Sequence, residues 1–111
     1  MEKKISVVFV TEKLEKEFEK LSLERDLKKY LLRAITDLKQ NPFCGLKINQ
    51  KFFPKEYLKK YNINNLWKYD LPGGWRLIYT LVNETKIELL TVILEWFNHK
   101  DYEKRFNYSF I

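Results

Sequence analysis

The sequence predicts an α+β domain, and three observations predict it. A β-branched apolar run, Ile5 to Val10, opens the chain; two segments with apolar residues at helical spacing follow; the second half then turns to long aromatic and β-branched runs broken by Pro72-Gly73-Gly74. The expected order is one strand, two helices, a three-stranded antiparallel meander and a short closing helix, with the helical hairpin packed on one sheet face. The length of 111 residues suits one domain, residues 1–111. Such a chain buries roughly two-thirds of the surface its unfolded form exposes. With 45% hydrophobic and 16% aromatic residues it can build a core of its own, which argues against disorder.

Each element has a local cause. Ile5 to Val10 reads as a buried strand, because β-branched side chains suit a pleated surface. Thr11 is placed to cap a helix whose Leu14, Phe18 and Leu21 form one apolar stripe. Ser22 is the expected cap of a second helix, in which Leu23, Leu27, Tyr30, Leu31, Ala34, Ile35 and Leu38 keep helical spacing. Pro42 disfavours helical geometry at Asn41, so this helix ends near Gln40. Pro54 is positioned to start a short helix through Tyr61. Leu66 to Leu71 and Trp75 to Val82 read as antiparallel strands joined by the proline-glycine turn; Asn83 to Thr85 is a second turn and Lys86 to Phe97 a third long strand. Asn98 caps a last helix, His99 to Phe106, and the tail Asn107 to Ile111 is expected to dock on the domain or on another chain. With only two amphipathic helices to cover the sheet, its opposite face is expected to be partly open.

Composition removes several functions. One cysteine, Cys44, makes no internal disulfide, and with one histidine, His99, no Cys/His zinc site can be assembled. A reducing compartment fits. The opening apolar run is too short for a signal-peptide core, and nothing approaches the ~20 apolar residues of a membrane span, so a soluble cytoplasmic protein is expected. Of the net charge of +6, residues 41–70 carry +4 and residues 1–40 carry +2. Lys47, Lys51, Lys55, Lys59, Lys60 and Lys68 lie there beside Phe52, Phe53, Tyr57 and Tyr61, a composition that either attracts phosphate backbones or forms a solvated face over packed aromatics.

Common catalytic motifs are missing. Gly73 and Gly74 sit in a hairpin, not at a strand-to-helix phosphate loop. Glu88 and Glu95 have opposite parity on one strand and are expected on opposite faces, which disfavours a carboxylate metal cluster. A Cys44–His99 nucleophile pair is weakly supported. What remains is Lys68, Arg76, His99, Lys100 and Tyr102. A three-residue loop at Pro72–Gly74 sets Asp70 opposite Arg76 and Lys68 opposite Ile78 on one face; a two-residue loop sets Tyr69 opposite Arg76 instead. In the first case the bland reading of Arg76 is a surface ion pair with Asp70. His99 and Tyr102, three apart, are neighbours on the last helix.

The stretch Leu66-Trp67-Lys68-Tyr69-Asp70-Leu71-Pro72-Gly73-Gly74-Trp75-Arg76-Leu77-Ile78-Tyr79, with Val92-Ile93-Leu94-Glu95 and His99-Lys100-Asp101-Tyr102, resembles the RelE/ParE superfamily of prokaryotic type II toxin–antitoxin toxins. The resemblance implies the same element order over nearly the whole chain and a metal-independent, cofactor-free endoribonuclease that cuts messenger RNA at the ribosome. It assigns Arg76 to the scissile phosphate, His99 and Tyr102 to acid and base or to orienting the nucleotide, and Lys68 to the preceding strand's cation. Lys47, Lys51, Lys55, Lys59, Lys60 and Lys100 are the expected RNA-facing charges. An antitoxin protein, held in a toxin–antitoxin hetero-oligomer, is the expected partner, and no membrane is involved. Leu66 stands where the ribonuclease members carry a second basic residue, which keeps two alternatives open: a gyrase-inhibiting branch of the same fold, and an inactive member that only binds an antitoxin.

Overall fold

The computed structural model describes residues 3–106, so the expectation about the tail Asn107 to Ile111 lies outside the described residues. Strand β1 (Lys4–Phe9) leads into helices α1 (Glu12–Lys20) and α2 (Asp26–Gln40). A two-residue strand β2 (Leu46–Lys47), a 3-10 turn (Gln50–Phe52) and helix α3 (Lys55–Tyr61) follow. Strands β3 (Trp67–Asp70), β4 (Arg76–Asn83) and β5 (Glu88–Phe97) and helix α4 (His99–Phe106) complete the domain. The five strands form one mixed sheet in the order β1-β5-β4-β3-β2.

The antiparallel run β3-β4-β5 matches the expected meander, but the sheet as a whole is not one. Strand β1 lies parallel to β5, with Lys4 opposite Glu88 and Phe9 opposite Ile93, and β2 adds antiparallel to β3. Local patterning reports that a segment is extended without naming its partner, and β5 offers its free edge to the amino-terminal strand.

The helix boundaries follow their caps. Thr11 Oγ1 accepts the Leu14 N–H at 3.1 Å and starts α1, and Asn98 Oδ1 accepts the Asp101 N–H at 2.8 Å and starts α4. Ser22 does not cap α2. Its Oγ accepts from Glu24 N at 3.2 Å within a separate turn, Leu23 stays exposed, and α2 starts at Asp26. Lys28 ties the two helices together, its Nζ donating to Phe18 O at 2.6 Å while lying 3.7 Å above the Phe18 ring. That bond gives a second donor to a carbonyl in the last turn of α1 that already accepts the Leu21 N–H at 3.1 Å.

Both sheet faces carry a core. On one, Leu27, Leu31, Ala34 and Leu38 of α2, with the stripe of α1, bury Leu77, Tyr79 and Ile93. On the other, Tyr57 of α3 and Tyr102 and Phe106 of α4 join Ile48 and Phe53 over Leu66, Ile78 and Leu94. Two short helices, each contributing aromatic side chains, cover part of this face, and it stays partly open toward the end of β4, where a cavity of about 670 Å³ lies over Thr80, Val82 and Val92. Each buried Leu or Ile contributes about 1.5–3 kcal/mol relative to exposure. A bulge in β5 alters the facing further. Ile78 pairs with Glu95 but Tyr79 with Ile93, so Leu94 is the extra residue and parity changes across it. Glu95 therefore shares a face with Val92, and Glu88 and Glu95 are not on opposite faces as strict alternation predicts.

Candidate active site

The site starts from a turn. Pro72–Gly74 closes the β3–β4 hairpin as a three-residue loop, Gly73 and Gly74 taking φ of 74° and 82°, values that favour glycine. Leu71 N donates to Trp75 O at 2.8 Å, and Asp70 falls opposite Arg76 and Lys68 opposite Ile78. Of the two loop lengths the sequence allowed, the longer one sets the register. Lys68, Asp70 and Arg76 consequently share the face on which α4 lies.

Helix α4 supplies the floor. Tyr102, one turn in, is only 3% exposed. Lys68 Nζ stands 5.6 Å and the Arg76 guanidinium carbon 5.4 Å from the centre of its ring, so two cations share one aromatic platform. Asp70 Oδ1 sits 3.6 Å from Lys68 Nζ and 3.0 Å from Arg76 Nε, the latter an ion pair without hydrogen-bond alignment. Arg76 Nη1 donates to Gly74 O at 2.8 Å. Gly74 also touches α4, since a Cβ added there would come within 3.3 Å of His99 Cβ. One glycine thus holds the arginine by its carbonyl and seats the histidine against its α-carbon.

His99 is 60% exposed at the side chain, and its Nε2 lies 2.6 Å from Glu103 Oε1 one turn on. Glu103 was not singled out from sequence, although its i,i+4 spacing from His99 is a readable signal. The arrangement brings together Arg76, Lys68, Tyr102 and, beside them, His99. Asp70 is half-exposed, so solvent reaches the one carboxylate that faces both cations. Asp70→Asn is expected to tighten binding of inorganic phosphate about 3- to 10-fold by heat of binding while changing stability by less than about 1 kcal/mol. Unchanged phosphate binding would show that the two cations do not act together.

The lysines do not form one surface. Lys55, Lys59 and Lys60 are exposed on α3, on the site's side of the sheet, and Lys100 is exposed on α4. Lys51 lies 5.1 Å from the centre of the Phe52 ring. Lys47, opposite Trp67 in the register, lines a groove on the other face. Helix α3 is fastened by Arg105, which pairs with Glu56 on α3 and, at 3.2 Å, with Glu95 on β5. Hydrogen bonding to Arg105 holds the Glu56 carboxyl below its usual range. Burial, with Glu95 close by, pushes the Tyr57 phenol far above its ordinary value, so it stays a neutral core group.

Cys44 is exposed beside a cleft of about 470 Å³ that also includes Lys68 and Asp70. Desolvation and then Asp37 raise its thiol above the ordinary value, the reverse of an activated nucleophile. Next to it the Tyr69 hydroxyl donates to Asp37, and burial and that bond push its pKa up to about 12. Among the described residues no group of three His, Cys, Asp or Glu side chains is placed to hold a metal ion, and no helix is long and apolar enough to cross a membrane.

Comparison of the chain with protein-family models, with curated proteins and with solved structures finds no match. The class of the site is therefore defined by its geometry alone: two cations and one half-exposed carboxylate over an aromatic platform, with an exposed imidazole on the same helix as that platform.

Proposed function

We propose that this chain is a toxin of the RelE/ParE kind that cleaves messenger RNA without a metal. The observation that carries the reading is the convergence of Lys68 and Arg76 on the Tyr102 ring, beside His99. In this reading the RNA phosphate displaces Asp70 and is gripped by the planar fork of Arg76, with Lys68 adding charge. The neighbouring 2′-oxygen attacks phosphorus, its proton passing to a base, and the bond to the 5′-oxygen breaks as an acid protonates that leaving group. The products are a 2′,3′-cyclic phosphate and a free 5′-hydroxyl. His99, exposed and paired with Glu103, is suited to proton transfer. Tyr102 is suited by its burial to support the cations and orient the nucleotide. The exposed lysines of α3 and Lys100 serve the flanking RNA, the ribosome is the expected setting, and an antitoxin protein is the expected partner.

The test is cleavage of translated messenger RNA with EDTA present, mapped by primer extension. Arg76→Ala and His99→Ala are each expected to lower cleavage at least 100-fold, the scale of losing one transition-state contact. No cleavage by the unaltered protein, or cleavage indifferent to both changes, overturns the reading. Leu66, wholly buried where the resemblance puts a second cation, favours one alternative: a non-nuclease toxin acting on DNA gyrase. That alternative predicts growth arrest that survives His99→Ala, with supercoiling blocked and messages intact.

A further inference from the structure

The cavity of about 670 Å³ at the far end of β4 has its origin in a strand that starts late. Strand β3 begins at Trp67, opposite Tyr79, so β4 runs on from Thr80 to Asn83 beside β5 with no strand along its other edge. Helix α3 ends at Tyr61, and Asn62, with φ of 48°, turns the chain back toward that edge. Val82, Val92, Leu94 and Val10 form the floor of the resulting cleft, and Tyr61 and Ile63 form a wall. Val82 is 41% exposed, an apolar side chain the fold leaves uncovered.

The polar rim of the cleft is rich in donors. Asn65 stands in for the missing strand: its Oδ1 accepts from Leu81 N at 2.9 Å and Trp67 Nε1 at 3.2 Å, and its Nδ2 donates to Leu81 O at 2.9 Å. The same Nδ2 donates to Asn64 Oδ1 at 2.7 Å, which leaves Asn64 its own Nδ2 to offer a ligand. Asn83, two residues past Leu81, turns its main-chain N–H to the same unpaired edge. Lys60 follows the buried Tyr57 by three residues and shares its side of α3, unlike Lys55 and Lys59. Glu56, one turn before Lys60, is taken by Arg105, and Lys60 lies in no ion pair among the described residues. No residue lining the cleft is acidic. We propose that this cleft binds a small aromatic carboxylate, its ring on the apolar floor beside Tyr61 and its carboxylate held by Lys60 and the donors of the rim. A single positive charge without a carboxylate to answer it selects a monoanion, and the valine floor with the Tyr61 ring selects a flat apolar body. The volume lies within the range of about 300–1,000 Å³ that holds small organic ligands. The inference does not depend on the cleavage reading, because Val82 stands six residues along β4 from Arg76, about 20 Å away.

The probes are indole-3-acetate, its neutral amide indole-3-acetamide and the cationic tryptamine, each titrated into the full chain. Binding is followed through the methyl resonances of Val82 and Val92 and the side-chain amide of Asn64. Indole-3-acetate is expected to shift all three, and to bind about 3- to 5-fold tighter than the amide and about 10-fold tighter than tryptamine, the scale of one exposed ion pair and of its reversal. Lys60→Gln should bring the acetate and the amide to equal affinity, and Val82→Asp should abolish binding of the acetate. Both positions are exposed, so the fold is preserved and the thermal melt unchanged. A preference for the acetate that survives Lys60→Gln, tryptamine binding as tightly as the acetate, or no shift at about 5 mM probe overturns the proposal. Shifts confined to Lys68 and Arg76, the mark of simple anion capture at the other site, overturn it as well.

Discussion

Alanine at position 45 is expected to destabilise the domain by about 3 kcal/mol, because the added methyl has nowhere to go. A Cβ on Gly45 would come 2.5 Å from the Tyr79 hydroxyl and 2.6 Å from the Lys68 carbonyl oxygen. Neither neighbour is free to move. Tyr79 is wholly buried at the centre of β4, and its hydroxyl both donates to Pro42 O at 2.9 Å and accepts from Gly45 N at 3.1 Å. Lys68 O belongs to the ladder backbone. The loop that follows α2 is therefore pinned to the sheet through one phenol, and the methyl would break both of its bonds. For a domain of this size the loss corresponds to a fall in Tm of about 12–20 °C, measurable by calorimetry. Tyr79→Phe removes the same bonds without the clash and should cost about 1–3 kcal/mol. A Gly45→Ala protein that melts with the unaltered chain would show that the close approach is relaxed in solution.

The second large effect concerns Leu66. It is wholly buried among Ile48, Tyr57, Ile78 and Leu94, on the strand side that faces α3 and α4. Leu66→Lys is expected to cost about 4 kcal/mol or more at pH 7, because an ammonium there is taken out of water into a cluster of apolar side chains. The pH dependence identifies the cause. A buried lysine has its pKa lowered in the folded state, so between that value and about 10.4 the unfolded chain holds more protons, and stability must rise with pH across the interval. Urea melts at pH 7 and pH 10 should therefore show recovery of part of the loss, whereas Leu66→Ala, costing about 2–5 kcal/mol through its cavity, should show no such recovery. The consequence for function is direct. A cation at position 66 is incompatible with this core, so a nuclease built on this chain must find its charge at Lys68, Arg76 and Lys100.

How much of this was legible depended on the range of the interaction. Thr11, Asn98 and the Asn41-Pro42 pair act within one helical turn, and the elements they bound lie where their spacing predicts. The proline-glycine loop left two registers open, and only the pairing of Asp70 with Arg76 chose between them. The parallel docking of β1 on β5 is a long-range choice that no local pattern encodes, and the two-residue β2 is too short to have a period. Strict alternation places Glu95 on the wrong face because a single extra residue, Leu94, reverses it. For the site, residue types and spacing identified Arg76, Lys68, His99 and Tyr102, but the shared platform and the balancing role of Asp70 are properties of three dimensions. Lys47 was grouped with the other lysines by sequence proximity, yet strand pairing sends it to the opposite face.

The parallel pair of β1 and β5 also bears on how the chain acquires its shape. Lys4 lies beside Glu88 and Phe9 beside Ile93, so β1 pairs with residues about 84 positions further along the chain. Without β5 in place, α1 and α2 lack the completed sheet on which their apolar stripes pack. Pairings at such separation slow folding, because the entropy of closing the loop comes before the contacts that reward it. Completion of the sheet therefore waits on a pairing that spans most of the domain, and the site over Tyr102 exists only once α4 has docked on it.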